Sequence, residues 1–190
     1  MHVLVLSCNT GGGHNSAGSA VVEALQARGH TGQRVDFLGL AGQKVSELVS
    51  GAYVGMVKKL PAVFGMTYSV GRAVSTAERI LNVKSPVYAA CAQVIPELSR
   101  YLAEHPCDAV IAPHIFPALA LTEMKRRGIS LPITLAVATD YTCIPFFEEE
   151  DCDLTLIPSQ LCMDEFVRRG FPREKLVPLI KAVGKAEQPS

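Results

Sequence analysis

The sequence predicts an α/β fold, a doubly wound parallel sheet of the Rossmann-like kind. Three observations predict it: short apolar runs recur along the chain, segments with helical apolar spacing separate them, and the first run leads straight into a glycine-rich turn. Short strands alternating with helices make βαβ units, whose parallel sheet is covered on both faces. The 190 residues suit one domain of ordinary size, and with 48% of them hydrophobic the chain can bury a sizeable core.

Taken in order, His2 to Ser7 is an apolar run ending in a polar turn, which marks a buried strand. A helix is expected from about Ser16, with Asn15 as N-cap and Ala17, Ala20, Val21, Ala24 and Leu25 on one face. Gly29 falls where a left-handed C-terminal cap belongs. The segment Gln33 to Phe37 reads as a second strand ending at Asp36. From about Gln43 to Leu81 the pattern is helical in pieces, broken near Pro61 and loosened by Gly51, Gly55, Gly65 and Gly71. A clearer helix starts at Pro86, where Ser85 can cap and Val87, Cys91, Val94, Leu98 and Leu102 keep helical spacing. Three further strands are expected at Ala109–Ala112, Ile133–Ala138 and Leu154–Ile157. Helices are expected from about Phe116 to Arg127 and from Ser159 to Arg169, the second closed by Gly170. Lys181 to Ser190 has no apolar periodicity and reads as a tail or linker.

Composition narrows the function classes. The formal net charge is zero, so general polyanion binding is not expected and nucleic acid is excluded as a partner. Six scattered cysteines form no C-x-x-C pair, which leaves no metal site or thioredoxin-type motif and fits reduced, buried thiols in a cytosolic protein. The N-terminal apolar run is too short for a signal peptide, and no stretch approaches the roughly 20 apolar residues of a membrane span. Membrane contact is therefore expected to be peripheral.

The turn after the first strand carries Gly11-Gly12-Gly13-His14. Doubly wound sheets bind ligands beyond the carboxyl ends of their strands, and a glycine run lets backbone approach a ligand at a helix N-terminus. Two phosphate motifs nearly fit. G-x-G-x-x-G starts at Gly11 and Gly13 but meets Ser16 at its third glycine, with Asp36 near the distance of a ribose-binding acid; a Walker pattern from Gly13 reaches Gly18 but has Ser19 in place of lysine. A tight turn without ligand is the competing reading. His14 adds an imidazole whose usual pKa of about 6.5 suits taking a proton from an alcohol.

Together, Gly11-Gly12-Gly13-His14 with Ser16-Ala17 and Ala24-Leu25, Asp36, the Tyr53…Pro61…Tyr68 region and Thr139-Asp140-Tyr141 resemble the N-terminal domain of the monogalactosyldiacylglycerol synthase and processive diacylglycerol glucosyltransferase family. These are family 28-like glycosyltransferases of GT-B fold, and the resemblance runs to about Val177. It implies that residues 1–180 form the acceptor-binding N-terminal half of a GT-B fold, with 181–190 a tail or truncated interdomain linker and the C-terminal donor-binding domain absent. The implied activity is transfer of a hexose from a UDP-sugar to diacylglycerol. No cofactor is implied beyond UDP-sugar as co-substrate, and the chain is expected to be inactive without its donor half, as a fragment, split subunit or remnant.

The same resemblance implies roles for residues. His14 and Asp140 are the catalytic pair; Gly11, Gly12, Gly13 and Asn15 form the loop at the donor phosphates or acceptor head. Tyr53, Tyr68, Tyr141, Phe146 and Phe147 line an acceptor channel, the phenylalanines standing where the family usually has a tryptophan. The bland alternatives are a turn aspartate at Asp140 and core-packed aromatics.

From Leu48 to Ala77 no acidic residue occurs, while Lys58, Lys59 and Arg72 accompany apolar residues that include Phe64. Such a segment can lie in an anionic lipid interface at about 1 kcal/mol per basic residue, or turn its apolar face to the core. With the lipid-enzyme resemblance it points to a peripheral position at the inner face of the membrane. The implied partners are a lipid acceptor, an anionic membrane surface and a separate donor-domain chain. Two other functions fit the sequence: a non-catalytic lipid- or partner-binding module, and a free-standing nucleotide-binding Rossmann-like domain.

Overall fold

A computed structural model describes residues 1–8, 12–42, 84 and 86–179. Six parallel strands form one sheet: β1 (His2–Ser7), β2 (Thr31–Asp36), β3 (Ala109–Ala112), β4 (Ile133–Val137), β5 (Leu154–Ile157) and β6 (Leu176–Pro178), in the order β2-β1-β3-β4-β5-β6. The chain steps outward from β1 to β2, returns past β1 to β3, then continues the other way. Right-handed crossovers therefore put α1 (Gly12–Gln26) on one face and α5 (Ile115–Arg126) on the other. Val5 pairs with Arg34 on one side and Ile111 on the other, so the carboxyl ends of β1 and β3 lie side by side at the reversal.

Burial explains why the central strands read as unbroken apolar runs. Leu4, Val5, Leu6, Val110 and Ala112 have no exposed surface, as expected of parallel strands covered on both faces. α5 is buried from Ile115 to Met124 apart from Phe116. Its one buried charge, Glu123, accepts hydrogen bonds from Arg126, Arg127 and Tyr88.

Some boundaries differ from expectation for physical reasons. α1 begins at Gly12, so Asn15 lies inside the helix and is not its N-cap. Ala20 and Ala24 are exposed; the face toward the sheet carries Gly18, where an added Cβ would stand 3.4 Å from Val5 Cγ1. The single helix expected from Pro86 is two, α3 (Pro86–Cys91) and α4 (Ile95–Glu104), joined by a 3-10 turn at Ala92–Val94. Pro96 has no N–H to give the Ala92 carbonyl, which breaks the α-helical ladder there. Cys91, Val94 and Leu98 are nevertheless all buried. After β5, a 3-10 turn at Gln160–Cys162, capped by the Ser159 side chain, precedes α6 (Met163–Arg168). Gly29 (φ 75°) and Gly170 (φ 109°) end their helices in the left-handed conformation the sequence called for. Among the elements not anticipated are the one-turn α2 (Phe37–Leu40) and β6, whose three residues are too few to show a pattern.

The expected helical stretch at 43–81 lies outside the described residues, as does the 181–190 tail.

Candidate active site

The strand order reverses between β1 and β3, and ligand crevices of open α/β sheets open at such points beyond the strand carboxyl ends. His14 stands there in the first turn of α1, His114 follows β3, and Thr139 and Asp140 follow β4. These four line one narrow cleft whose apolar wall includes Val137, Ile144 and Phe147. No lysine or arginine is among the described residues that line it.

His14 is held through one nitrogen. Its Nδ1 lies 2.8 Å from the Pro113 carbonyl and 3.1 Å from Thr139 Oγ1. A carbonyl only accepts, so Nδ1 carries a hydrogen, and in the neutral ring the lone pair is then on Nε2. The ring is half-buried and held against the residues that follow two strands.

His114 shows the complementary arrangement. Its Nδ1 accepts from Phe116 N–H at 3.1 Å and so caps α5. Accepting that bond requires an unprotonated Nδ1, which places the hydrogen of the neutral ring on Nε2. Burial first, and the nearby His14 second, push its pKa down to about 3. Ring centroids of the two histidines are 4.4 Å apart, edge to face at 72°. The site thus pairs two imidazoles of opposite tautomer.

The loop bearing Asp140 is lashed to α6. Thr142 Oγ1 and Cys143 N–H both donate to Glu165, at 2.6 and 3.1 Å, and Arg169 pairs with Glu148 at 2.8 Å. Asp140 itself is exposed at the cleft rim.

The residues singled out in the sequence are only partly brought together. His14, Asp140 and Phe147 line the cleft. Phe147 is also core, 3% exposed and packed against Phe166 and Phe171. Tyr141 is 70% exposed and Phe146, at φ 69°, packs against the core; neither lines the cleft. Gly12 and Gly13 are exposed, and a Cβ on either would meet nothing within 4 Å among the described residues. Asn15 is half-buried in α1. Gly11, Tyr53, Tyr68, Lys58, Lys59, Phe64 and Arg72 lie outside the described residues. Sequence reading missed His114 and Glu165. The signal for His114 was available: it is a histidine just beyond the carboxyl end of the apolar strand β3. Glu165 gave none, because a glutamate in a short polar helix looks like any solvated one.

The profile of the monogalactosyldiacylglycerol (MGDG) synthase family matches residues 14–179. The chain belongs to the MGDG synthase family. The match takes in His14, His114 and Asp140, so every described residue lining the cleft lies within the matched range. A solved structure of the lipopolysaccharide outer core galactosyltransferase WaaB, in its apo form, shares the fold at a TM-score of 0.55 and 12% identity, over 93% of this chain and 44% of that one. The chain therefore spans less than half the length of that galactosyltransferase. No curated protein matches it.

Proposed function

We propose that this chain is the acceptor-binding domain of a glycolipid synthase that transfers a hexose from a UDP-sugar to diacylglycerol or a related lipid alcohol. The observation that carries the reading is the locked tautomer of His14, which leaves an imidazole base at Nε2 on the cleft at the reversal point of the sheet.

In the reaction the acceptor O–H bond breaks and its proton goes to His14 Nε2. The oxygen bonds to the anomeric carbon of the donor, and the electron pair of the sugar–phosphate bond leaves with UDP. The imidazolium so formed keeps Nδ1–H on the Pro113 carbonyl, which stabilises its charge. Asp140, at the rim, can accept from a hydroxyl of the acceptor or sugar and orient it. The described lining includes the apolar Ile115, Val137, Ile144 and Phe147, which suits an alcohol carried on an apolar body. Gly12 and Gly13 weaken the start of α1 and meet no described neighbour that needs them, which supports a ligand head passing close to that turn.

The donor is assigned to a second domain, in keeping with the fraction of the galactosyltransferase that this chain covers. No helix among the described residues is long and apolar enough to cross a membrane. We assign contact with an anionic inner membrane face to the basic, apolar stretch within residues 48–77.

The test is product analysis by mass spectrometry. The full-length protein is given UDP-galactose or UDP-glucose with diacylglycerol, ceramide or a phosphorylated lipid in mixed micelles. Hexosyl-diacylglycerol is the expected product. Transfer confined to the phosphorylated lipid, or to none, contradicts the reading.

A further inference from the structure

We propose that Ile144 is a specificity-determining residue of the cleft. It leaves room for the hydroxyl of a primary alcohol and none for the second carbon branch of a secondary one. The inference rests on the glycosyl-transfer reading of the same cleft and narrows its acceptor to the hydroxymethyl end of a lipid alcohol.

The size of the cleft comes first. It offers the centre of a water-sized group about 10 Å³, which is the room of about one such group. A hydroxyl oxygen fits that space and a branched carbon does not. The walls are also fixed. Phe147 is 3% exposed and its ring packs against those of Phe166 and Phe171. Ile115, at the start of α5, and Val137, at the end of β4, are buried core side chains. Of the large apolar side chains in the described lining, Ile144 alone is half-buried, so it meets both the cleft and solvent and stands at the mouth. Its backbone is nonetheless held. The Ile144 carbonyl accepts from Phe147 N–H at 3.2 Å, and the Cys143 N–H before it donates to Glu165 at 3.1 Å. A wall tied on both sides and backed by a packed core does not swing aside for a wider group.

The carbon behind the reacting oxygen is what the mouth reads. In a primary alcohol that carbon carries one chain, which leaves through the open side of the cleft. In a secondary alcohol it carries two diverging chains, and one is driven against the wall as the oxygen enters. An extra methylene in an apolar pocket is discriminated by about 10- to 200-fold. Ile144→Ala removes the branched end of the side chain and opens a place for that second chain.

The test uses two ether lipids whose chains cannot migrate between positions. A 1,2-dialkylglycerol has a primary free hydroxyl, and a 1,3-dialkylglycerol has a secondary one. The full-length protein is assayed on each in mixed micelles with labelled UDP-hexose. Wild type is expected to favour the primary alcohol in kcat/KM by about 10²-fold. In I144A that ratio is expected to fall about tenfold, as the secondary alcohol gains entry. Both lipids are assayed on one preparation, so a loss of folded protein cancels in the ratio. If I144A yields no folded protein, the milder Ile144→Val decides, with an expected fall of about threefold. A wild-type ratio within about threefold of unity overturns the proposal and leaves the transfer reading in place. A ratio that the substitution does not lower does the same. A wild type that transfers to neither lipid overturns both.

Discussion

Thr139 Oγ1 lies 3.1 Å from Nδ1 of His14, joining two positions 125 residues apart in the chain. The contact ties the glycine-histidine turn after β1 to the Thr139-Asp140-Tyr141 element after β4. It also gives the Nδ1 hydrogen a second acceptor beside the Pro113 carbonyl, which fixes the ring's rotation as well as its tautomer. On the proposed reading, Thr139 positions His14.

Thr139→Val keeps the side-chain shape and removes the hydroxyl. Losing one such hydrogen bond costs about 1 kcal/mol, so turnover should fall about fivefold through kcat. Steady-state kinetics on the full-length protein check this; a fall in lipid affinity alone points to a different role.

Glu165→Gln tests the lashing of the Asp140 loop. Glutamine can still accept from Thr142 Oγ1 but loses the charge that strengthens both bonds at 2.6 and 3.1 Å. Activity should fall severalfold, and amide exchange of residues 140–144 should speed up while that of β3 stays unchanged.

Acid should weaken the fold in two stages. The His114 pKa is lowered to about 3, so between about 6.5 and 3 the unfolded chain binds a proton that the native chain does not. Stability is then full above about pH 6.5 and declines as pH falls, by at most about 1.4 kcal/mol per pH unit from this group. Glu123, held down to about 2 chiefly by its bond to Arg126, behaves likewise lower on the scale. Its contribution is present above the unfolded carboxyl's pKa and is lost as pH falls toward about 2. Urea unfolding of H114N and wild type between pH 7 and 4 checks the first stage: the slope should flatten in the variant.

Phe166 has no exposed surface and its ring meets those of Phe147 and Phe171 at 6.3 and 5.3 Å. Phe166→Ala should cost about 3–5 kcal/mol in denaturant unfolding. Because Phe147 also lines the cleft, catalysis should suffer as well, through a loosened floor.

The fold was legible wherever burial on both faces wrote an apolar run. β1, β3, β4 and β5 show this, and the glycine stops at Gly29 and Gly170 read directly as left-handed caps. The pairing of β6 was not legible, because Leu176–Pro178 owes its place to β5 and not to its own sequence. The break before α4 was written at Pro96 but masked by apolar spacing that continues through it. At the site, His14 was visible from its glycines, whereas His114 hid in an apolar context where a histidine looks like core. Its capping bond and its neighbour are tertiary facts. The outward placement of Tyr141 and the inward packing of Phe146 belong to the same class, since loop aromatics carry no periodicity that sets their direction.

The central claim is that His14 Nε2 takes the proton of a lipid alcohol during hexose transfer. It is tested most directly by His14→Ala in the full-length protein, followed by transfer of labelled hexose from UDP-hexose to diacylglycerol in micelles. The account predicts a loss of 10²-fold or more, the order expected for removing a general base, with the lipid still bound. Transfer by H14A at the wild-type rate would contradict it.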